Sequence, residues 1–278
     1  MTLTTANSPG VFTPEQVQAL VVEPLMRESV ATQVSTVIQT GSHETRFPVV
    51  KSDPTNGWTA EGSEIAITDA DIDEIVVVPK KLAGLTVVSS ELIQDSSASA
   101  LAIVGAGLVR DLQTRLDAAF FTSTTANGPD GIESVAYQLV NAGSSYTNLD
   151  PFAEAQSKAE TVGAQITSWV SHPTTLLGLQ QLKTATGYNT PLLGPDPSAP
   201  TGRSILGTAV HWSPAVDEGA VWGIPQSKVF VVIRQDASVV ADTSAFFSSD
   251  RVAIRCTLRV GFAFVHPRAI IRIGAGGS

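Results

Sequence analysis

Three aspartates, Asp69, Asp71 and Asp73, alternate with other residues as ligands do at the start of a calcium-binding loop. Such a loop also needs glycine at its sixth position and a bidentate glutamate at its twelfth, where this sequence has Glu74 and Lys80. The spacing therefore excludes an EF-hand. A solvated or partner-facing acidic run explains the cluster better, and weak cation binding stays open as the alternative.

The segment Val-Gly-Ala-Gly at residues 104–107 is similar to the start of a dinucleotide-binding fingerprint. Arg110 stands where the third glycine belongs, and the apolar residues before the segment continue a helical period instead of forming a strand. A Rossmann turn needs a strand, a turn and a helix in that order. The glycines are therefore better explained as small residues on a closely packed helix.

Other catalytic and metal-binding patterns are missing from the sequence. The histidines lack metal-ligand spacing, and the single cysteine, Cys256, excludes a cysteine-rich zinc site. No G-x-S-x-G elbow, H-E-x-x-H motif or P-loop occurs. A triad of distant Ser, His and Asp residues stays open from one sequence, but we predict no enzyme, no cofactor and no metal site. The four histidines are His43, His172, His211 and His266.

The composition indicates a folded chain with few charges. Of 278 residues, 43% are hydrophobic and only 15% are charged, against about 25% charged residues in an average soluble domain. The apolar content excludes disorder, and the apolar stretches are far shorter than the roughly 20 residues that span a bilayer. The net charge of −9 argues against a dedicated nucleic-acid binder. The N-terminus has no signal-peptide pattern, so we expect an intracellular origin.

The charges are unevenly distributed along the chain. Residues 44–79 hold eight acids, and residues 251–278 hold five arginines and no acid. These are either two solvated faces or two complementary surfaces, an acidic hairpin of one chain lying across an arginine-bearing face of the next. The acids are Glu44, Asp53, Glu61, Glu64, Asp69, Asp71, Asp73 and Glu74, and the arginines are Arg251, Arg255, Arg259, Arg268 and Arg272.

The spacing of apolar residues predicts an α+β fold. Residues 97–121 have an apolar face at three- and four-residue steps and predict the longest helix, and two more helices begin near Asp150 and Pro173. In residues 251–260, every second residue from Val252 is apolar and the arginines face the other side. Strands are predicted at residues 47–50, 75–79, 82–89, 209–212, 229–233, 238–240, 251–265 and 269–273.

Two segments lack a core of their own. Residues 1–45 are predicted to form an arm, with a short helix after Thr13 and Pro14 and an extended form at residues 30–39. The strands at 47–50 and 75–79 are separated by a segment of small and acidic residues at 51–74, in which Trp58 is the only aromatic residue. Because long loops without a core are usually functional or held by a partner, we predict a projecting hairpin.

Three consecutive motifs resemble the major capsid proteins of tailed phages with the Hong Kong 97-type fold. They are N-G-W-T-A-E-G-S-E-I at residues 56–65, V-P-K-K-L-A at 78–83 and V-V-S-S-E-L-I-Q-D-S at 87–96. Shorter similarities at 172–188, 206–214 and 250–269 extend the resemblance to roughly residues 14–273. The resemblance thus covers nearly the whole chain.

The resemblance implies a subdivided α+β subunit. It assigns an N-terminal arm to residues 1–45, an extended hairpin loop to 46–80 and a peripheral domain to 81–140, with a spine helix at 97–121. It assigns an axial domain to 141–242, and C-terminal strands at 243–278 complete the peripheral and axial domains.

The function that the resemblance implies is a capsid protein that self-assembles into hexamers and pentamers of an icosahedral head. The head would enclose double-stranded DNA without sequence specificity, after assembly in the host cytoplasm. Portal, scaffold and decoration proteins are further candidate partners, and no membrane is involved. The residues that we expect at the assembly interface are Trp58, Glu61, Glu64, Asp69, Asp71, Asp73, Glu74, Arg255 and Arg259.

Two family features are not matched. Some relatives carry a long N-terminal scaffolding region that is later cleaved. This sequence starts directly with the arm, so the chain either lacks the region or is given without it. Some relatives crosslink a hairpin lysine to an asparagine near the C-terminus. Lys51 lies in the hairpin, but the last asparagine is Asn189, so we expect no such crosslink.

Two alternatives remain open. An encapsulin-type compartment shares the fold but encloses cargo enzymes, and genomic neighbours would separate it from a phage head. A soluble enzyme would instead be a monomer or small oligomer with a closed pocket.

Overall fold

The computed structural model describes residues 28–52, 57–58, 62, 69, 71–89, 99–185, 189–193, 203–246 and 249–274. The predicted helix after Thr13 lies outside these residues. The helices are α1 (Val30–Gln33), α2 (Ser99–Phe121), α3 (Asp150–Thr161) and α4 (Pro173–Gln180). The strands are β1 (Thr36–Thr40), β2 (Thr45–Ser52), β3 (Asp71–Val77), β4 (Lys80–Ser89), β5 (Gln138–Asn141), β6 (Ser168–Ser171), β7 (Ser204–Ile205), β8 (Thr208–Trp212), β9 (Ala220–Ile224), β10 (Val229–Phe246), β11 (Arg251–Phe264) and β12 (Ile271–Gly274).

A four-stranded sheet with the order β1-β10-β11-β4 carries the larger core. Its centre is the long antiparallel pair of β10 and β11, and β1 joins β10 in parallel. On one face, Cys256, Leu258 and Val260 of β11 are buried against α2. The alternation predicted for this strand is confirmed, because its apolar positions line the core while Arg251 and Arg255 are exposed.

Helix α2 confirms the helix predicted at residues 97–121. Its stripe of Leu112, Leu116 and Phe120 is almost completely buried. The Phe120 ring meets the Phe262 ring of β11 edge-on, with the ring centroids 5.2 Å apart. Residues 104–107 lie inside α2, so the glycine-rich segment is helical, as its apolar period predicts.

A two-stranded ribbon of β2 and β3 packs against the opposite face of this sheet. The strands pair antiparallel from Thr45–Val77 to Ser52–Asp71, which confirms the hairpin pairing. Phe47 and Val77 are buried with Val232 and Ala263 in a small second cluster. The sheet therefore has α2 on one face and the base of the ribbon on part of the other.

The second sheet has the order β5-β12-β9-β6-β8-β7 and holds α3 on one face. Phe152 of α3 and Trp169 of β6 are fully buried in an edge-on contact, with ring centroids 5.1 Å apart. The helix begins at Asp150 with Pro151 in its first turn, as predicted, although Leu149 is the N-cap residue. Trp222 and Ile224 on the other face join the larger core, so the two sheets share it.

The expectation of an extended form at residues 30–39 is confirmed for the part that forms β1 and is wrong for its start, which is helical and packed. Residues Val30–Gln33 form α1, and Ala31 and Val34 are completely buried in the larger core. The Asp117 carboxylate of α2 accepts hydrogen bonds from Ser29 Oγ at 2.6 Å and from the backbone N–H groups of Val30 and Ala31. A carboxylate from a distant helix thus satisfies the free donors at the start of α1, which local sequence patterns do not show.

The strand predictions differ from the structure in two ways. The strands predicted at 229–233 and 238–240 are parts of one strand, β10, whose pairing with β11 has an irregularity between Arg234 and Ser238. β5, β6 and β9 were not predicted because they are short, and because β6 and β9 are buried on both faces and lack alternation. No helix within the described ranges is long and apolar enough to cross a bilayer.

A glycine is required where the ribbon meets the sheet. A Cβ atom at Gly261 would lie 2.5 Å from Cγ1 of Val77 and 3.5 Å from Cα of Pro79. We expect Gly261→Ala to lower the free energy of unfolding by about 1–3 kcal/mol, because the ribbon base must shift to make room. Thermal unfolding measures this loss. Gly178→Ala in α4 is the control, because nothing lies within 4 Å of its Cβ; an equal loss in both variants would contradict the close approach.

Burial raises the pKa of Asp117 above its ordinary value, and the hydrogen bonds from Ser29, Ala31 and Val30 lower it by less. Between the unfolded and the folded pKa, the native state holds a proton that the unfolded state has lost. The contribution of Asp117 to stability is therefore full below about pH 4 and is lost as the pH rises through the folded pKa.

We expect Asp117→Asn to remove this loss, because asparagine keeps an acceptor and has no proton to release. Urea unfolding across a pH series should show the stability advantage of the wild type over the variant shrinking as the pH rises. Asp111→Asn is the control on the same helix, because Asp111 is exposed beside Arg115. An advantage that is constant with pH would refute the assignment.

Candidate assembly surface

The ribbon has two unlike faces. Thr45, Phe47, Val49, Asp73, Ile75 and Val77 share one face by their register, which we call the inner face because its base packs on the sheet. Asp71 belongs to it by the alternation of β3. The outer face carries directly opposed residues such as Val50 and Ile72, which are 54% and 66% exposed. Beyond its buried base, the inner face is acidic and the outer face is apolar.

Arg46 forms two exposed ion pairs on the outer face, near the base of the ribbon. Arg46 lies 2.8 Å from Glu44 and 2.7 Å from Glu74. Both carboxylates raise the pKa of Arg46, Glu44 more than Glu74. Since all three side chains are about half exposed, these pairs contribute little to stability. Glu74 therefore has a partner within its own chain.

The predicted interface residues of the hairpin are exposed where the structure describes them. Trp58 is fully exposed, which is rare for so large an apolar side chain. Asp69, Asp71 and Asp73 are exposed as well, whereas Glu61 and Glu64 lie outside the described residues. Trp58 and the described acids thus belong to the ribbon or to the segment that connects its two strands.

The predicted arginines lie on the sheet face that also receives the ribbon base. Arg259 stands directly opposite Arg234 of β10 and Lys81 of β4, so three cations form one row across three strands. Like charges in directly opposed positions destabilise a sheet unless anions compensate for them. Four residues along β11, Arg255 lies on the same face. We call this surface the cationic face; it consists of Lys81, Leu85, Val87, Arg234, Arg255 and Arg259.

Arg255 has a different setting from Arg259. Its direct neighbours are Leu85 of β4 and Val240 of β10. The pKa of Asp242 is lowered, mainly by hydrogen bonds from Ser244 and to a smaller extent by the charge of Arg255. Arg255 is thus the link between the cation row and an exposed carboxylate farther along the sheet.

Aliphatic side chains accompany the cations. Leu85 is 64% exposed and Val87 is 37% exposed, both on β4 at the edge of the sheet. They share the cationic face because Leu85 pairs with Arg255 and Val87 with Ala253. An exposed edge strand with apolar side chains usually needs a covering partner.

The sequence analysis missed Lys81, Arg234, Leu85 and Val87. Residues 82–89 were identified as a strand, and apolar residues at both parities in that strand are typical of one that is covered on both faces. That signal could have identified Leu85 and Val87 as residues of a covered surface. No sequence signal places Lys81 and Arg234 beside Arg259, since the three residues are far apart in the chain.

A cleft of about 560 Å³ lies between α1, α2 and residues 210–215. Among its lining residues, Asp117 accepts the hydrogen bonds that cap α1, and Gln113 donates to Glu28. Burial lowers the pKa of His211, which favours its neutral form. The carboxylate of Asp117 and the amide of Gln113 thus hold the N-terminal segment against α2. Within the part of the chain that the structure describes, no cluster of His, Cys, Asp and Glu side chains could hold a metal ion.

Solved structures from phages and from the capsid of a GTA particle have the same fold. A structure of Mycobacterium phage Bobi matches with a TM-score of 0.74 and 17% identity, over 90% of this chain and 91% of that one. A structure of Microbacterium phage Oxtober96 matches with a TM-score of 0.71 and 20% identity, over 89% and 91%. The capsid of an empty GTA particle matches with a TM-score of 0.73 and 16% identity, over 100% and 95%.

The mixed helix-and-sheet fold is therefore that of phage capsid structures. The model of the phage capsid family matches residues 9–274. The chain belongs to the phage capsid family, as the motifs around Trp58 and Lys81 predict, and is a structural capsid protein. A comparison with curated proteins finds no match.

Proposed function

We propose that this chain forms the hexamers and pentamers of an icosahedral phage head that encloses double-stranded DNA. It would assemble in the host cytoplasm and take no part in catalysis. The net charge of −9 fits a container that holds DNA by confinement and without sequence recognition. Portal, scaffold and decoration proteins remain candidate partners.

One observation carries the proposal: a single chain bears two surfaces of opposite charge on different elements. The ribbon carries Asp69, Asp71 and Asp73, and the sheet carries Arg255, Arg259 and Lys81. Surfaces of this kind can join copies head to tail, and such contacts close into rings when the rotation allows it. Charge complementarity sets the orientation of each contact more than its strength.

The elements fit the proposed subdivision of the subunit. The arm would occupy residues 1–45, with α1 and β1 fastening its end to the sheet. The hairpin loop would occupy residues 46–80, and α2 would be the spine helix of the peripheral domain at 81–140. The second sheet with α3 and α4 would be the axial domain at 141–242, and residues 243–278 would complete both domains.

Electron microscopy of the purified chain in negative stain tests the proposal. We expect closed polyhedral particles. Particles of single-subunit size under conditions that support assembly would refute it and would favour the soluble alternative. Nucleic acid in the particles would separate a phage head from a compartment filled with cargo enzyme.

Charge reversal of the sheet arginines should impair assembly and spare the fold. We expect Arg255→Glu/Arg259→Glu to lower particle yield at least about tenfold, because like charges then oppose each other across the contact. The unfolding temperature should move by no more than about 2 °C, since surface substitutions cost little. Arg115→Glu on the exposed side of α2 is the matched control. A parallel loss of folding and assembly would remove the support for an interface.

The exposed Trp58 should anchor the hairpin on a neighbouring subunit. We expect Trp58→Ala to cost about 2–4 kcal/mol of contact energy, as buried aromatic anchors do, and to reduce both particle yield and particle resistance to urea. Trp212→Ala is the control, because Trp212 is 54% exposed on β8 and away from the hairpin. Unchanged yield and resistance in the Trp58 variant would show that the residue is no anchor.

A further inference from the structure

The strand β5 forms one end of the six-stranded sheet and has the composition of an aggregation-prone segment. Within the described residues, no strand pairs with its outer side. Residues 135–142, V-A-Y-Q-L-V-N-A, contain no charge, no proline and no glycine, and Leu139 is 57% exposed. Short segments of this composition at a sheet edge are templates for strand pairing between copies of a chain.

The backbone of β5 directs Leu139 at this outer side. The N–H group of Gln138 donates to the carbonyl of Ile270 at 2.9 Å, so alternate residues from Gln138 point their backbone groups toward β12. In a parallel pair of strands, the residues between them direct their N–H and C=O groups away from the partner strand. The N–H and C=O groups of Leu139 are therefore the ones that an added strand would use.

Lys158 of α3 occupies the outward carbonyl of Leu139. Its Nζ donates a hydrogen bond to that oxygen at 3.0 Å and lies 2.9 Å from Oε1 of Glu154, one turn earlier in the helix. Helix α3 is held in this place because its Ala159 is buried in the same cluster as Val140 of β5. The ammonium group thus stands where an added strand would place an N–H donor, about 2.9 Å from the oxygen.

The sequence around β5 does not itself supply such a charge. Proteins usually flank aggregation-prone strands with charged residues. Here the nearest charged residues are Glu133 and Asp150, and Asp150 follows the segment by eight residues. Glu133 lies 3.7 Å from Arg272. The other edge strand of the sheet, β7, has only two residues and offers little template.

We propose that the Glu154–Lys158 pair is a guard that closes the β5 edge to strand addition by a second copy of this chain. An added strand would have to displace the ammonium group from Leu139 and leave a cation beside the new pairing, and a charge-assisted hydrogen bond is stronger than the amide bond that replaces it. The inference goes beyond the proposed function, because it concerns an association that the fold prevents.

Removal of the ammonium group tests the guard. We expect Lys158→Met, which keeps the aliphatic stem, to form thioflavin-T-positive aggregate at least about tenfold faster than the unmodified full chain. Its unfolding temperature should move by no more than about 2 °C, because the lysine is at the surface. Lys158→Arg should behave as the unmodified chain, since the guanidinium group also donates to a carbonyl.

The matched control is Lys183→Met, which removes the same charge from an exposed lysine outside α3 and β5. Equal aggregation rates in the Lys158→Met and Lys183→Met variants would overturn the proposal, and so would rapid aggregation of Lys158→Arg.

A proline at the edge shows whether the aggregate grows from β5. Leu139→Pro removes an N–H group that points away from β12, so the sheet keeps its own hydrogen bonds. We expect Lys158→Met/Leu139→Pro to aggregate at the rate of the unmodified chain. Aggregation that the proline does not suppress would refute the inference. Electron microscopy separates closed particles, which report on the proposed function, from the aggregate, which reports on the guard.

A second variant decides the question if Lys158→Met does not fold. Glu154→Gln leaves the lysine in place but removes the carboxylate that holds it over the edge. We expect aggregation about threefold faster than in the unmodified chain, because an exposed pair of this kind contributes modestly. The same proline should suppress the increase, and an unchanged rate would count against the guard.

Discussion

The four-stranded sheet has two unlike faces, and the positions of α2, of the ribbon and of the cationic face depend on that difference. On one face, Leu258 and Val260 build the core with α2. On the other, Gly261 and Ala263 admit the ribbon base, and Arg255 and Arg259 follow. Successive residues of a strand point to opposite faces, so β11 forms the core and displays the cations at the same time. A slip of one residue in its pairing would bury the arginines and expose the core.

The low charge content fits membership of the phage capsid family. Capsid subunits bury part of their surface against other subunits, and charged residues are depleted at the centre of such interfaces. Aliphatic side chains remain exposed on the isolated subunit, among them Ile72 and Leu85. Part of the remaining charge is grouped by sign, with Asp71 and Asp73 on the ribbon and Lys81, Arg234 and Arg259 in one row on the sheet. Association of copies therefore explains the composition better than an unusually large core.

Local sequence patterns predicted those helices and strands that are determined by residues close together in the sequence. The stripe from Leu112 to Phe120 identified α2, and strict alternation identified β11, since each pattern is repeated often enough to exclude the other period. Local patterns did not predict α1 at residues 30–33, where Asp117 caps the helix from α2. They also failed at β9, which is buried on both faces and so has no alternation.

The sequence by itself determined the family, the α+β class and the hairpin, through motifs of adjacent residues around Trp58 and Lys81 and through the opposite charges of two distant segments. Only the tertiary structure decided that Lys81, Arg234 and Arg259 form one row, because strand register brings together residues far apart in the chain. It also decided that Asp73 lies on the same face of the ribbon as Phe47 and Val77, which pack on the sheet. The distribution of charges along the sequence predicts neither fact, because strand register and the packing of the ribbon on the sheet are established only in the folded chain.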